Sequence, residues 1–167
     1  MSKRADLTDI HNLELRFGPW IKDLPEDKIL RLISITLNYC VVNEEIRIKG
    51  YLITKSHLYL VLIYQTDAID HILGVLSKKM THGVYTHLGF SYDDQDEKTI
   101  HPSDQYSMFT KHSLQDYDLI KLITGKEVKL PFHSPKIAYL KNVLHGNNYC
   151  SVQDYAGALG PVIVYTQ

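Results

Sequence analysis

The chain has 167 residues, of which 44% are hydrophobic and 22% are charged, with a formal net charge of −1. This length and apolar fraction fit one domain with a conventional core, so we predict a single domain over residues 1–167. The near-neutral charge excludes a protein that binds polyanions through a global basic excess, and any such partner would need a local basic patch.

The two cysteines and the N-terminal stretch indicate the compartment. Cys40 and Cys150 lie far apart and form no C-x-x-C pair, which is typical of a reducing compartment and gives no support to a zinc site. The stretch MSKRADLTDI lacks the apolar core of a signal peptide, and no apolar run approaches the roughly 20 residues that span a bilayer. These features predict a soluble, cytoplasmic protein without a membrane partner.

The first half of the sequence alternates between strand and helix patterns. The stretch NLELRF predicts a strand, and helical spacing of apolar residues predicts a helix over about residues 25–42. EEIRIKGYLIT and HLYLVLIY are joined by KS, which predicts a β-hairpin with a central second strand. A second helix is predicted to begin at Asp67 as N-cap and to end near Gly83.

The second half contains a loop, a short strand and two short helices. SYDDQDEKTIHPSDQ predicts a solvated loop that leads to a strand near YSMFTKH. One helix is predicted in SLQDYDLIKLITGKE, ending at Gly125, and another in SPKIAYLKNVLHGNN, beginning at Ser134 and Pro135 and ending at Gly146. The β-α-β-β-α-β order predicts an α+β domain with a ferredoxin-like antiparallel sheet and its helices on one face.

Two segments resemble a known family. LNYCVVNEEIRIKGYLITKSHLYLVL resembles the helix and hairpin of the single-tyrosine HUH transposases, especially the REP-associated tyrosine transposase group. IAYLKNVLHGNNYCSVQDYAGAL resembles the tyrosine helix of that group, and the two segments occur in the family's order. Together they cover about a third of the chain. The resemblance implies a single HUH-transposase-like domain that acts on DNA.

The resemblance assigns roles to individual positions. In the family, a His-hydrophobic-His pair on the central strand binds a divalent metal, as alternate strand residues that share a face can do. His57 matches the first histidine, and Tyr59 stands at the second position. Tyr139 matches the tyrosine nucleophile. Val143 stands at the position of the third ligand, which is polar in the family, and Asn142 is a neighbouring candidate ligand.

The family's chemistry leads to three functional hypotheses. Its tyrosine attacks a DNA phosphodiester and forms a phosphotyrosyl intermediate, with magnesium or manganese polarising the phosphate. Because a neutral phenol and a valine are poor metal ligands, we predict a protein that binds single-stranded or hairpin DNA with weakened or lost nicking. Two alternatives stay open: an active transposase that uses His57, Asn142 and water as ligands, and a non-catalytic regulatory or protein-interaction domain. A homodimer also stays open.

Other residues complete the candidate site. Tyr117 is a rival to Tyr139 by its distance from His57. Lysines flanking the two segments are predicted to form a strip around the sheet face that holds DNA phosphates; they are Lys49, Lys55, Lys78, Lys79, Lys136 and Lys141. The remaining histidines of the second half show no metal-binding spacing and are interpreted as surface or loop residues; they are His82, His87, His101, His112, His133 and His145.

Overall fold

A four-stranded antiparallel sheet and five helices give the chain an α+β fold in the computed structural model, which describes residues 8–89, 108–128 and 135–167. The strands are β1 (Thr8–Phe17), β2 (Arg47–Ile53), β3 (His57–Gln65) and β4 (Phe109–Ser113). Their order across the sheet is β2-β3-β1-β4, which places β1 and β3 at its centre. The helices are α1 (Glu26–Asn43), α2 (Ile69–His87), α3 (Tyr117–Ile123), α4 (Pro135–His145) and α5 (Val152–Tyr155).

The predicted strand, helix and hairpin of the first half are confirmed as β1, α1 and the pair β2–β3. The predicted ends of the second helix are wrong. Asp67 lies in a 3-10 turn, and Ala68 is the N-cap of α2. Gly83 lies inside α2, where a Cβ would clash with Leu32 of α1. This glycine therefore serves the close approach of two helices and does not end one.

The strand and the two helices predicted in the second half are confirmed as β4, α3 and α4. Gly125, two residues beyond α3, has a φ of +75°, a left-handed conformation that glycine adopts readily. The predicted loop SYDDQDEKTIHPSDQ and the predicted helix start at Ser134 lie outside the described residues. Within the described ranges, no helix is both long enough and apolar enough to cross a bilayer.

The two faces of the sheet pack against different helices. On one face, Leu15 of β1 and Leu60 of β3 are fully buried in the larger core, together with the apolar sides of α1 and α2. On the opposite face, Leu52 of β2 and Val61 of β3 form a smaller core with α3 and with Leu144 of α4. The prediction that the helices lie on one face is therefore wrong, because α3 and α4 cover part of the second face.

A close backbone contact holds α3 against the sheet. A Cβ added at Gly50 of β2 would lie 2.5 Å from the carbonyl oxygen of Ile123, so only glycine fits there. The hydroxyl of Ser151 is buried beside this contact and can donate to the Ile123 carbonyl. The same hydroxyl accepts a hydrogen bond from the Tyr51 N–H at 2.9 Å. These contacts fix the distance between α3 and the second face.

Candidate functional site

Polar side chains from three strands meet on the second face of the sheet. Glu14 of β1 is paired with Tyr59 of β3, and Arg16 of β1 is paired with His57 of β3. Directly opposite residues of antiparallel strands share a face, so these four side chains lie together. On its other side, Glu14 is paired with His112 of β4. We call these five residues the His57 cluster.

The His57 ring is held by its neighbours. Its Nδ1 lies 2.7 Å from Ser56 Oγ, and its Nε2 lies 4.0 Å from Glu14 Oε1. The backbone N–H of His57 donates to Thr54 Oγ1 at 3.0 Å, which fixes the turn between β2 and β3. The Tyr59 ring stacks beside the imidazole, with the planes 5° apart and the centroids 5.7 Å apart. His57 and Tyr59 thus point the same way, as alternate strand residues do.

The donors of the His57 cluster do not fit a divalent metal. Burial raises the pKa of the Tyr59 phenol, and the negative charge of Glu14 raises it further, so this phenol stays neutral near pH 7. A neutral phenol is a poor ligand for magnesium or manganese. Across the described parts of the chain, no three His, Cys, Asp or Glu side chains are grouped so that they could hold a metal ion. The metal role that the resemblance implies for His57 therefore lacks support from its surroundings.

Helix α4 lies on the second face but turns the predicted nucleophile outward. Ile137 and Leu144 are buried and Leu140 is half-buried, and this spacing marks the inner side of the helix. Tyr139 is 68% exposed and Val143 is 40% exposed, and both lie on the outer side. Tyr139 therefore belongs to the exposed part of α4 and not to the side chains that enter the smaller core.

A cavity of about 520 Å³ separates the cluster from α4. Its lining includes Glu14, Arg16 and Tyr59 from the cluster, Asp116 from the start of α3, and Leu140 from α4. Two carboxylates and one guanidinium are its charged groups, so its net charge is not positive. A site for a DNA backbone needs an excess of positive charge, and this cavity does not supply one.

Two of the predicted DNA-binding lysines lie away from the second face, and a third is engaged within the chain. Lys49 of β2 donates to the carbonyl oxygen of Gln167 at 2.6 Å. Lys78 and Lys79 belong to α2, which covers the opposite face of the sheet, and the Lys79 ammonium lies 4.0 Å from the centroid of the Tyr39 ring. The predicted continuous strip of six lysines around one sheet face is therefore not formed.

The other three lysines remain candidates for contact with a polyanion. Lys55 is exposed at the turn between β2 and β3. Lys136 and Lys141 are exposed on α4, together with Asn142. Lys136 also lies 3.6 Å from the Asp116 carboxylate at the start of α3. Two of these three lysines thus lie on α4.

Sequence reasoning missed three members of the His57 cluster. The alternation in NLELRF could have placed Glu14 and Arg16 on one face of β1, opposite its leucines. Only the pairing register with β3 places these two residues at His57. His112 was predicted as a surface or loop residue. It lies on β4, at the edge of the sheet, and the pairing of β4 with β1 brings it beside Glu14.

No family model matches the chain, and neither a curated protein nor a solved structure matches it. The resemblance to the single-tyrosine HUH transposases therefore rests on the two sequence segments alone and stays a prediction. The α+β fold and the geometry of the His57 cluster rest on the structure and do not depend on that resemblance.

Replacing Tyr59 by histidine is expected to create a divalent metal site. Position 59 is paired with Glu14, so the third ligand would be this carboxylate of β1 and not a side chain of α4. Two imidazoles and a carboxylate suit manganese, and calorimetry should show saturable binding to Tyr59→His but no saturable heat with the wild type. Adding Glu14→Gln should weaken that binding at least about tenfold. Mutating a residue that only hydrogen-bonds to a metal ligand typically lowers metal affinity 10- to 100-fold, and Glu14 would itself be a ligand. Tight wild-type binding that is lost in His57→Ala would contradict this account.

Proposed function

We propose that the chain is a transposase-like domain that binds single-stranded or hairpin DNA through the outer side of α4 and does not nick it. The observation that carries the proposal is the exposure of Tyr139, which is 68% exposed on α4 and is not among the residues that line the cavity beside the His57 cluster. We further propose that the fold is ferredoxin-like. The β-α-β-β-α-β element order and the strand order β2-β3-β1-β4 support that assignment.

Helix α4 combines an exposed aromatic ring with positive charge. Tyr139 and Lys136 are exposed and lie three residues apart on one side of the helix, Lys141 is exposed on another side, and the helix sequence PKIAYLKNVLH contains no acidic residue. Lysines attract the phosphates of a nucleic acid, and an exposed tyrosine ring can stack on an unpaired base. This combination favours a single strand over a duplex, since the bases of a duplex are already stacked on each other.

A second exposed aromatic ring lies close to α4. Tyr117 is 73% exposed at the start of α3, and the contact between Lys136 and Asp116 brings the start of α4 next to it. In proteins that bind single strands, successive bases stack on separate aromatic rings. We define the α4 surface as Tyr117, Lys136, Tyr139, Lys141 and Asn142.

The same arrangement argues against nicking. Attack on a phosphodiester needs an activated nucleophile and groups that stabilise the negative charge of the transition state. Tyr139 is 68% exposed and does not line the cavity beside the His57 cluster, whereas the carboxylates of Glu14 and Asp116 do. Arg16 lies 3.3 Å from Glu14 and Lys136 lies 3.6 Å from Asp116, so these two cations are already paired with carboxylates and are poorly placed to stabilise the transition state of strand cleavage.

A protein-interaction function is the second candidate, and the charge of the cavity favours it. Glu14 and Asp116 together outnumber the single cation Arg16 among the charged residues that line the cavity. A basic side chain of a partner protein would be attracted to such a cavity, whereas a phosphate would not. DNA binding separates the two candidates, because only the first requires it.

Binding of a labelled single-stranded oligonucleotide, followed by fluorescence anisotropy, is expected to weaken as salt rises, because counterions are released on binding. Lys141→Glu should weaken binding several-fold at low salt and reduce the salt slope by about 1. Lys28→Glu is the matched control, since Lys28 is exposed on α1 and on the opposite side of the sheet. Salt-independent binding, or an equal loss in both variants, would contradict the proposal and leave the protein-interaction function.

A further inference from the structure

The cavity beside the His57 cluster combines apolar walls with groups that can form hydrogen bonds. Its volume of about 520 Å³ lies in the range of small-molecule sites, which is roughly 300–1,000 Å³. The side chains of Tyr59 and Gln115 line it, and neither forms a hydrogen bond with another described residue. Four leucines form its apolar part; they are Leu52, Leu114, Leu119 and Leu140. The cavity therefore suits a ligand with apolar faces and a polar edge.

Two ion pairs balance the charge around this cavity. Arg16 Nη2 lies 3.3 Å from Glu14 Oε2, and Lys136 Nζ lies 3.6 Å from Asp116 Oδ2. A neutral ligand leaves both pairs in place. Each carboxylate can still accept further hydrogen bonds, because an ionised carboxylate has about four lone-pair sites. The charged groups of the cavity thus favour a neutral ligand that carries several N–H groups.

A nucleobase has these properties, and guanine matches the charged groups best. Proteins hold an unpaired base between apolar or aromatic side chains and form hydrogen bonds with its Watson–Crick edge. That edge of guanine carries two N–H donor groups and one carbonyl acceptor, whereas the edges of the other three DNA bases each carry one donor group. Among the residues that line the cavity, two carboxylates can accept and one guanidinium can donate. This is the pattern that guanine requires.

We propose that the cavity binds one unpaired guanine of the single strand that the α4 surface holds. Leu140 of α4 lines the cavity, and Asp116, which also lines it, directly precedes Tyr117 of the α4 surface. A nucleotide next to a base stacked on Tyr117 can therefore place its own base in the cavity. Stacking and phosphate contacts do not select a base, so the cavity supplies the base preference. This inference rests on the proposed DNA binding.

Nucleosides test the cavity without any phosphate. In NMR spectra of the full chain with labelled leucine methyl groups, deoxyguanosine should shift the four leucines of the cavity and leave Leu37 of the larger core unchanged. Deoxyinosine lacks the exocyclic amine of deoxyguanosine and should bind roughly tenfold more weakly, because it loses a hydrogen bond to a carboxylate. No shift of these leucines, equal binding of both nucleosides, or shifts with argininamide but not with deoxyguanosine would each overturn the proposal.

Two variants test the carboxylates. Asp116→Asn keeps an N-cap for α3, since asparagine caps a helix as well as aspartate does, and Glu14→Gln keeps the size of its side chain. Each should reduce the preference for deoxyguanosine over deoxyinosine. Asp118→Asn is the matched control, because Asp118 belongs to α3 but does not line the cavity. A preference that survives both cavity variants would show that these carboxylates do not read the base.

Oligonucleotides separate this inference from the DNA function. A thymine oligonucleotide with one central guanine should bind the wild type more tightly than the same strand with an abasic site at that position. Equal and salt-sensitive binding of the two strands would overturn the guanine site and leave DNA binding intact. If neither strand binds while deoxyguanosine still shifts the four leucines, the DNA function is wrong and the assignment of guanine to the cavity is upheld.

Discussion

Tyr139→Ala is expected to weaken binding of single-stranded DNA roughly 5- to 150-fold, because stacking of one base on an aromatic side chain contributes about 1–3 kcal/mol. Tyr139→Phe should bind as tightly as the wild type, since it keeps the ring and loses only the hydroxyl. Anisotropy titrations of both variants at one fixed salt concentration separate stacking from any role of the hydroxyl.

Tyr165→Ala is the matched control for the loss of a tyrosine ring. Tyr165 is 40% exposed and packs against Arg47 and Lys49 of β2, away from α4. Its removal should change the affinity for DNA less than twofold. Equal losses in Tyr139→Phe and Tyr139→Ala would show that the hydroxyl is needed, which contradicts a binding-only role for Tyr139.

Gly50→Ala is expected to lower the free energy of unfolding by about 3 kcal/mol, the upper end of the usual cost of overpacking. The added methyl group would lie 2.5 Å from the Ile123 carbonyl oxygen, and this backbone atom cannot move unless α3 shifts away from β2. Urea denaturation of the wild type and the variant measures the difference.

Gly74→Ala gives a control of opposite sign. Gly74 is exposed within α2, and a Cβ there meets no atom within 4 Å. Alanine is favoured over glycine inside a helix, so this variant should be more stable than the wild type by up to about 1 kcal/mol. If Gly50→Ala were as stable as the wild type, α3 would not be seated on β2 as described, and the shape of the cavity would be wrong.

Local patterns were sufficient to predict most strands and helices. The two-residue period of HLYLVLIY places His57 and Tyr59 on one face, and helical spacing predicts α1 within one or two residues of its ends. The partners of His57 depend instead on register. Glu14 and His112 reach the second face through strand pairings between distant segments, and no short stretch of sequence contains that information.

The orientation of α4 could not be predicted from its own sequence. The apolar residues of α4 allow two buried sides. Leu140 can pack with Ile137 and Leu144, or it can pack with Val143. The second arrangement would turn Tyr139 toward the sheet. The smaller core decides between them, because Leu144 packs there with side chains of β2 and β3. The sequence therefore predicts the helix that carries Tyr139, but not which of its side chains enter the smaller core.

The central claim is that the chain binds DNA without cleaving it, and one experiment tests both parts. Labelled hairpin DNA is incubated with the wild type in manganese, and each reaction is divided between a native and a denaturing gel. We predict a shifted band on the native gel that weakens as salt rises, and only free DNA on the denaturing gel. A band that survives denaturation and disappears in Tyr139→Phe would contradict the account, because it would demonstrate a phosphotyrosyl intermediate.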